Sequence, residues 1–267
     1  MTEVTRERVW DNTATYEAYM GRWSRPMGEA VLTWLAPPPK LRWLDVGCGT
    51  GALTQAILDE AEPSEIVAID PSADFVTTAM GQIADPRVRF KVGDAQALPV
   101  AEGAYDVVVA GLVLHFVPDP LAAVLEMARA ACGGGALVAY IWNSTGERQF
   151  TRYLWEAAIG LDSTAAAQDP GRHTPLGHPE PLAALFAKAE LRKVTVQEVV
   201  VPIVFRDFDD YWLPLLMNGS SPAQRYVMSQ GEDARAALRG QLHATLPIAD
   251  DGSISMLGRV WAVRGTK

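Results

Sequence analysis

Short runs of apolar residues punctuate the first half of the chain, and four of them end in a glycine or an acid. Leu41, Trp43 and Leu44 lead into Asp45-Val46-Gly47-Cys48-Gly49-Thr50-Gly51; Glu65 to Ile69 ends at Asp70; Val88 to Val92 ends at Gly93-Asp94-Ala95; Tyr105 to Ala110 ends at Gly111. Near-continuous apolar runs of this length are what strands show when helices cover both faces of a sheet. Helix-like stretches separate them. Ala52 to Ala61 leaves the glycine turn, Pro71-Ser72 opens a second helix, and Ala122 to Ala131 forms a third. Cys132-Gly133-Gly134-Gly135 reads as the C-cap and turn of that third helix, and Ala136 to Trp142 as the fifth strand. Strands alternating with helices imply a parallel sheet with right-handed crossovers, so the four strand ends share one edge.

The flanks are less regular. Val9 to Met20 reads as a helix, Gly21-Arg22-Trp23-Ser24-Arg25-Pro26 interrupts it, and Met27 to Leu35 is a second helix stopped by Ala36-Pro37-Pro38-Pro39. Beyond the fifth strand, Arg148 to Leu161 is helical, Asp169-Pro170-Gly171 is a loop, and His178-Pro179-Glu180 leads a helix to Ala189. Val194 to Val201 is a sixth strand and Ile254 to Val263 a seventh. The expected organisation is a helical cap over 1–39, a core over 40–204 and 251–267, and a helical insertion over 205–250. The insertion is expected to be a substrate lid; a structural cover or a dimer contact is the alternative.

The glycine turn is the chemically informative element. Glycine takes positive φ and lets a ligand approach without a Cβ in the way. A turn of this kind at the carboxyl end of a strand is where open α/β sheets bind nucleotides. The spacing is G-x-G-x-G and no Lys follows, which argues against a triphosphate-gripping loop. Asp70 lies at the end of the next strand, about 20 residues on, where an acid suits bidentate hydrogen bonding to ribose hydroxyls.

Taken together, these elements resemble a class I S-adenosylmethionine-dependent methyltransferase of the group similar to ubiquinone/menaquinone-biosynthesis methyltransferases. Leu44–Gly51 matches the first family motif, Ala68–Ser72 the second, Gly93–Pro99 the third and Tyr105–Phe116 the fourth. The resemblance covers roughly residues 40 to 142. It implies an α/β, Rossmann-like, doubly wound and mostly parallel seven-stranded sheet, with the helical cap and insertion added to it. It implies S-adenosyl-L-methionine as cofactor, held by Asp45, Gly47, Cys48, Gly49, Gly51, Asp70, Pro71, Ser72, Asp94, Ala95, Gly111 and Leu112. Asp94 and Ala95 would face the adenine, the Asp accepting from its exocyclic amine. Asp45 would either orient the turn or reach the cofactor's amino group. A segment before the first strand would fold over the methionine end, with Tyr19, Arg22 and Arg25 as candidates; an Arg there would supply a charge-assisted donor to the carboxylate. The sequence does not choose between the two arginines.

The protein need only align a nucleophile with the methyl carbon, because the cofactor's sulfonium is already electrophilic. His115 follows the fourth strand, where it is placed either to take a proton from a substrate hydroxyl or to pack the pocket wall. Trp142, Asn143, Tyr211 and Trp212 are the substrate-side candidates; His173 and His178 read as loop surface.

Composition narrows the partners. The net charge of −9 disfavours a nucleic-acid partner, and Cys48 and Cys132 do not suggest a disulfide framework, so a reducing compartment fits. No apolar stretch reaches membrane-spanning length. A soluble cytoplasmic enzyme, monomer or homodimer, acting on a small and partly apolar metabolite at O, C or N is the expectation. Methylation of RNA or protein, a non-catalytic cofactor-binding scaffold, and a nicotinamide dehydrogenase with an atypical turn are the alternatives. No metal is expected: the acids Asp207, Asp209 and Asp210 have no histidine or further acid spaced with them.

Overall fold

The first strand, β1 (Arg42–Val46), is the sheet's organising element: it pairs in parallel on one side with β2 (Glu65–Asp70) and on the other with β4 (Tyr105–Gly111). The computed structural model describes residues 13–143, 149–170, 175–217, 219 and 221–267. Outward from β1, β2 pairs in parallel with β3 (Val88–Val92), and β4 with β5 (Ala131–Trp142). Two later strands, β6 (Arg192–Phe205) and β7 (Ile254–Thr266), complete a seven-stranded sheet of order β3-β2-β1-β4-β5-β7-β6, in which β7 runs antiparallel to β5. This is the Rossmann-like, mostly parallel sheet that the strand–helix alternation predicts.

Ten α-helices accompany the strands among the described residues: α1 (Thr13–Tyr16), α2 (Arg22–Leu35), α3 (Ala52–Glu60), α4 (Ala73–Gln82), α5 (Pro120–Ala130), α6 (Gln149–Leu161), α7 (Pro179–Lys188), α8 (Phe208–Trp212), α9 (Pro222–Ser229) and α10 (Glu232–Thr245). None is long and apolar enough to cross a membrane. Polar side chains start several of them. Ser72, Asp119, Asp207 and Ser221 each accept a backbone N–H of the first turn of α4, α5, α8 and α9. Such a cap contributes about 1 kcal/mol.

The chain divides into two compact units. The larger comprises Trp23–Arg148, Thr174–Val201 and Leu257–Lys267. The central strands of its sheet are buried on both faces. Leu44, Val67, Val108 and Leu137 join Val124 and Met127 of α5 and Leu182 and Phe186 of α7 in one apolar cluster. The alternate residues Trp43, Ile66, Val107 and Val138 are buried as well. Each such aliphatic side chain contributes roughly 1.5–3 kcal/mol.

The smaller unit comprises Met1–Arg22, Gln149–His173 and Pro202–Met256. It is helical, as the pattern over 205–250 predicts, with α6 packed on α9 and α10. Tyr226 of α9 meets Trp155 of α6 at a ring separation of 5.3 Å.

Two local expectations are corrected. Gly133-Gly134-Gly135 does not cap a helix. The strand begins at Ala131, directly after α5, and the pairing jumps from Tyr105↔Ala131 to Val107↔Ala136. The glycines take up the extra length as an irregularity in the strand. The end of α5 is held instead by Lys267, whose ammonium donates to the carbonyls of Arg129 and Ala131 at 3.3 and 2.8 Å. Residues 21–26 also do not break the first helical stretch. Glu17–Gly21 forms a π-helical turn that runs directly into α2, and Pro26 sits inside α2. A π turn absorbs one extra residue, and Pro26 one turn later forgoes only the bond it would have donated toward the carbonyl of Arg22.

Candidate functional site

The carboxyl ends of β1, β2, β3 and β4 bring the expected residues of the larger unit to one edge. The turn after β1 is built from three glycines at positive φ: Gly47 at 75°, Gly49 at 55° and Gly51 at 94°. Their roles differ. A Cβ on Gly47 would collide with Val113, and one on Gly51 would meet Ile83 at 2.8 Å, whereas one on Gly49 would meet no atom within 4 Å. Gly47 and Gly51 are therefore packing positions, and Gly49 faces open space. The backbone N–H groups of Gly47 and Cys48 both donate to the carbonyl of Ile69, at 2.7 and 3.0 Å, which ties the turn to the end of β2.

Asp70 closes that end. One carboxylate oxygen accepts from the N–H of Gly49 at 2.9 Å, and the other from the N–H of Ser72 at 2.8 Å. Burial raises its carboxyl above the ordinary range, and the two backbone donors oppose that rise. Each oxygen keeps a further acceptor direction. Pro71 follows, and Ser72 caps α4.

Asp45 lies near the carboxyl end of β1, just before the turn, and is 1% exposed. Thr54 of α3 donates its hydroxyl to Oδ2 at 2.6 Å, while Oδ1 is buried and meets no hydrogen-bond partner among the described residues. Burial, with the charge of Asp70 adding to it, pushes this carboxyl up to about 7 against the donation from Thr54. Burial and the same two acids also push the Cys48 thiol up, so it stays protonated. The buried, unpartnered Oδ1 suits a cationic N–H donor on a ligand.

At the end of β3, Asp94 accepts from the backbone N–H of Gln96 at 2.9 Å, and Ala95 is buried. The loop that follows is fastened to α5. Glu126 accepts from Leu98 N–H at 2.9 Å, and Arg129 donates to the carbonyls of Leu98 and Val100, both at 3.0 Å. After β4, Gly111 packs so closely on Tyr140 that no Cβ fits. Leu112 takes φ of 60°, a left-handed conformation that costs a non-glycine residue on the order of 1–3 kcal/mol. Strain of this kind at a strand's carboxyl end is characteristic of ligand-facing segments. His115 is half-buried and lies against Phe116, with ring centroids 3.9 Å apart. Phe116 is itself 44% exposed.

The remaining candidates have other engagements. Arg25 is exposed and pairs with Glu29 and Asp59, at 2.9 and 2.8 Å. Asn143, at the end of β5, donates its carboxamide to Glu198 at 2.8 Å, and Glu198 also pairs with Arg259 at 3.0 Å. Trp142 is buried. His178 is exposed and precedes α7, and His173 lies outside the described residues.

In the helical unit, Arg22 forms a two-point ion pair with Asp210, Nη1 to Oδ1 at 3.1 Å and Nη2 to Oδ2 at 2.8 Å, and its guanidinium lies over the Phe205 ring at 5.3 Å. Tyr19, Phe205, Tyr211 and Leu215 enclose a small cavity, and Trp212 is buried. The acid cluster is fully engaged: Asp207 caps α8, Asp209 pairs with Arg239, and Asp210 with Arg22 and Arg206. Among the described residues no group of three or more His, Cys, Asp or Glu is arranged to hold a metal ion.

Three residues of the site went unnoticed in the sequence. Thr54, Gln96 and Glu198 act through partners 9, 23 and 55 residues away. Thr54 alone carried a signal: a hydroxyl in a buried helix facing the strand that bears Asp45.

Comparison with known proteins agrees with this geometry. Residues 44–139 match a family model described as a methyltransferase domain. An uncharacterised methyltransferase of Mycobacterium tuberculosis is 32% identical over 133 residues, 49% of this chain and 52% of that protein. The chain thus spans about half the length of some of the curated relatives it matches. A demethylmenaquinone methyltransferase of a Roseiflexus species is 30% identical over 175 residues, 61% of this chain and 73% of that protein. Among solved structures, phosphoethanolamine N-methyltransferase 2 of Haemonchus contortus in complex with S-adenosyl-L-methionine shares the fold, with a TM-score of 0.56 at 16% identity, over 96% of this chain and 56% of that one.

Proposed function

Since the chain belongs to the class I S-adenosylmethionine-dependent methyltransferase family, we propose that it binds S-adenosyl-L-methionine at the β1–β4 edge and passes its methyl group to O, C or N of a small, partly apolar metabolite. The observation that carries this reading is the carboxylate of Asp70, oriented by Gly49 and Ser72 with an acceptor direction left on each oxygen for two ribose hydroxyls. The fit of the group rests on the buried, unpartnered Oδ1 of Asp45 and on the open space beside Gly49.

The cofactor would supply an activated methyl group on a sulfonium, and the chain's own residues would position it. Gly49 lets the backbone approach, Asp70 holds the ribose, and Asp94 with Ala95 receives the adenine. Asp45, ionised, would accept from the amino group. Gly111 and Leu112 shape the wall from which His115 would take a proton when the acceptor is a hydroxyl; such a base contributes about 10²–10⁴-fold. Alignment of the acceptor supplies the larger part, on the order of 7–11 kcal/mol. Trp142, Asn143, Tyr211 and Trp212 are the acceptor-side candidates, and Tyr19 is a candidate for the methionine end of the cofactor. The relative named for demethylmenaquinone and the net charge of −9 both favour a metabolite over a polynucleotide.

Titration calorimetry with S-adenosylmethionine, S-adenosylhomocysteine and NAD tests the reading. Binding of the first two and not the third is expected. Binding of NAD alone would overturn it.

A further inference from the structure

Gln96 joins the acid at the end of β3 to the start of α5. Its backbone N–H and its side-chain Nε2 both reach Asp94, the amide nitrogen lying 3.3 Å from Oδ1 and 3.5 Å from Oδ2. Its Oε1 accepts the backbone N–H of Asp119 at 3.0 Å. Asp119 in turn caps α5, accepting from Ala122 N–H at 3.0 Å. The carboxamide is used at both ends, donating to a carboxylate and accepting from a peptide. Among side chains of this length only glutamine offers both.

The bridge is not needed to hold the loop. Leu98 and Val100 are already fastened to α5 by Glu126 and Arg129. What the bridge adds is orientation: it sets the plane of the Asp94 carboxylate against a helix start that is itself fixed.

We propose that Gln96 is a positioning residue that makes the site selective for a 6-amino purine, by aiming the Asp94 carboxylate at the exocyclic amine. The proposal rests on the assignment of Asp94 to the adenine. Two substitutions separate the functions of the bridge. Gln96→Met keeps the length and removes both bonds. Gln96→Glu keeps the acceptor for Asp119 and places a second carboxylate beside Asp94.

The test is titration of wild-type and variant proteins with S-adenosylhomocysteine and with S-inosylhomocysteine, which carries a carbonyl in place of the amine. Wild-type protein is expected to prefer the adenosyl ligand. Gln96→Met and Gln96→Glu are expected to lose roughly tenfold or more of that preference, the scale of one hydrogen bond to a charged acceptor. In an Asp94→Asn background, Gln96→Met is expected to change the preference little further. Equal weakening of both ligands would mean that the bridge only packs the loop, and would overturn the proposal while leaving the cofactor reading intact. An unchanged preference would do the same. Wild-type protein that binds the adenosyl ligand without distinguishing the two bases would overturn the adenine assignment of Asp94 and the proposal with it. Should Gln96→Met not fold, Gln96→Glu, which keeps the Asp119 bond, decides the matter.

Discussion

The Asp70 carboxylate accepts the backbone N–H of Gly49 at 2.9 Å, so the acid of the second strand and the open glycine of the first turn form one unit. Removing the acid is therefore expected to act twice: it deletes the proposed ribose acceptor and frees the turn. Asp70→Ala is expected to weaken S-adenosylhomocysteine binding by tenfold or more, from hydrogen bonds to a charged group at roughly 1.5–3 kcal/mol each. Unchanged affinity in calorimetry would remove Asp70 from the site.

Gly47 and Gly49 separate packing from the proposed binding role. Gly47→Ala must hold φ of 75° and drive a methyl into Val113, so it is expected to cost on the order of 2–4 kcal/mol of stability. Gly49→Ala meets open space and is expected to cost about 1–2 kcal/mol of stability while losing most ligand affinity. Urea unfolding of both variants beside calorimetry of Gly49→Ala checks the contrast; equal stability losses would contradict it.

The Arg22–Asp210 pair has a defined acid signature. Hydrogen bonding from Arg22 holds the Asp210 carboxyl down at about 2, below its ordinary 3.8. A depressed carboxyl stabilises the fold above its unfolded value and ceases to do so as pH falls through its folded value. Arg22→Ala is thus expected to lower the thermal midpoint at pH 7 and to have almost no effect near pH 2. A deficit that persists at pH 2 would show that lost packing on Phe205, not the ion pair, dominates.

Asp45 behaves in the opposite sense. Its folded value near 7 exceeds the ordinary 3.8, so the native protein binds more protons than the unfolded chain between those limits. The Asp45 contribution to unliganded stability is expected to decline as pH rises from about 4 to about 7. Affinity for S-adenosylhomocysteine is expected to rise over pH 6 to 8 as the carboxylate forms. Asp45→Asn is expected to remove the pH dependence of both. An identical stability-versus-pH profile in wild type and variant would refute the raised value.

The strands β2 and β3 were legible to the residue, because a short strand-forming run, continuous and apolar in β2 and alternating in β3, that ends at an acid or glycine has few other interpretations. The start of β5 was not. A glycine cluster after a helix suits a C-cap and a strand irregularity equally, and the partner that decided between them, Lys267, lies far away in the chain. Pro26 was misread because a proline near the start of a helix looks the same in sequence as one that ends it, and the π turn before α2 leaves no mark in the residue types. Within the site, Asp70 announced itself by spacing from the glycine turn. The two arginines before β1 could not be told apart, because Arg22 and Arg25 are distinguished only by partners at Asp210 and Asp59. Gln96 was silent because its second bond crosses 23 residues to Asp119. Local pattern reveals elements and the acids at their ends; it does not reveal which distant groups hold those acids still.

The placement of β7 between β5 and β6 has a bearing on how the chain is made. Strand β6 lies at the end of the sheet order, with β7 as its neighbour, yet the whole stretch from α8 to α10 is synthesised before β7. A nascent chain therefore carries a long strand with no lateral partner until its last strand leaves the ribosome, and unpaired strands of that kind are prone to adhere to one another. Val200 and Val204, exposed on β6 even in the finished fold, sharpen that hazard. Premature termination anywhere before Ile254 would remove β7 and leave β6 without the neighbour that joins it to the sheet.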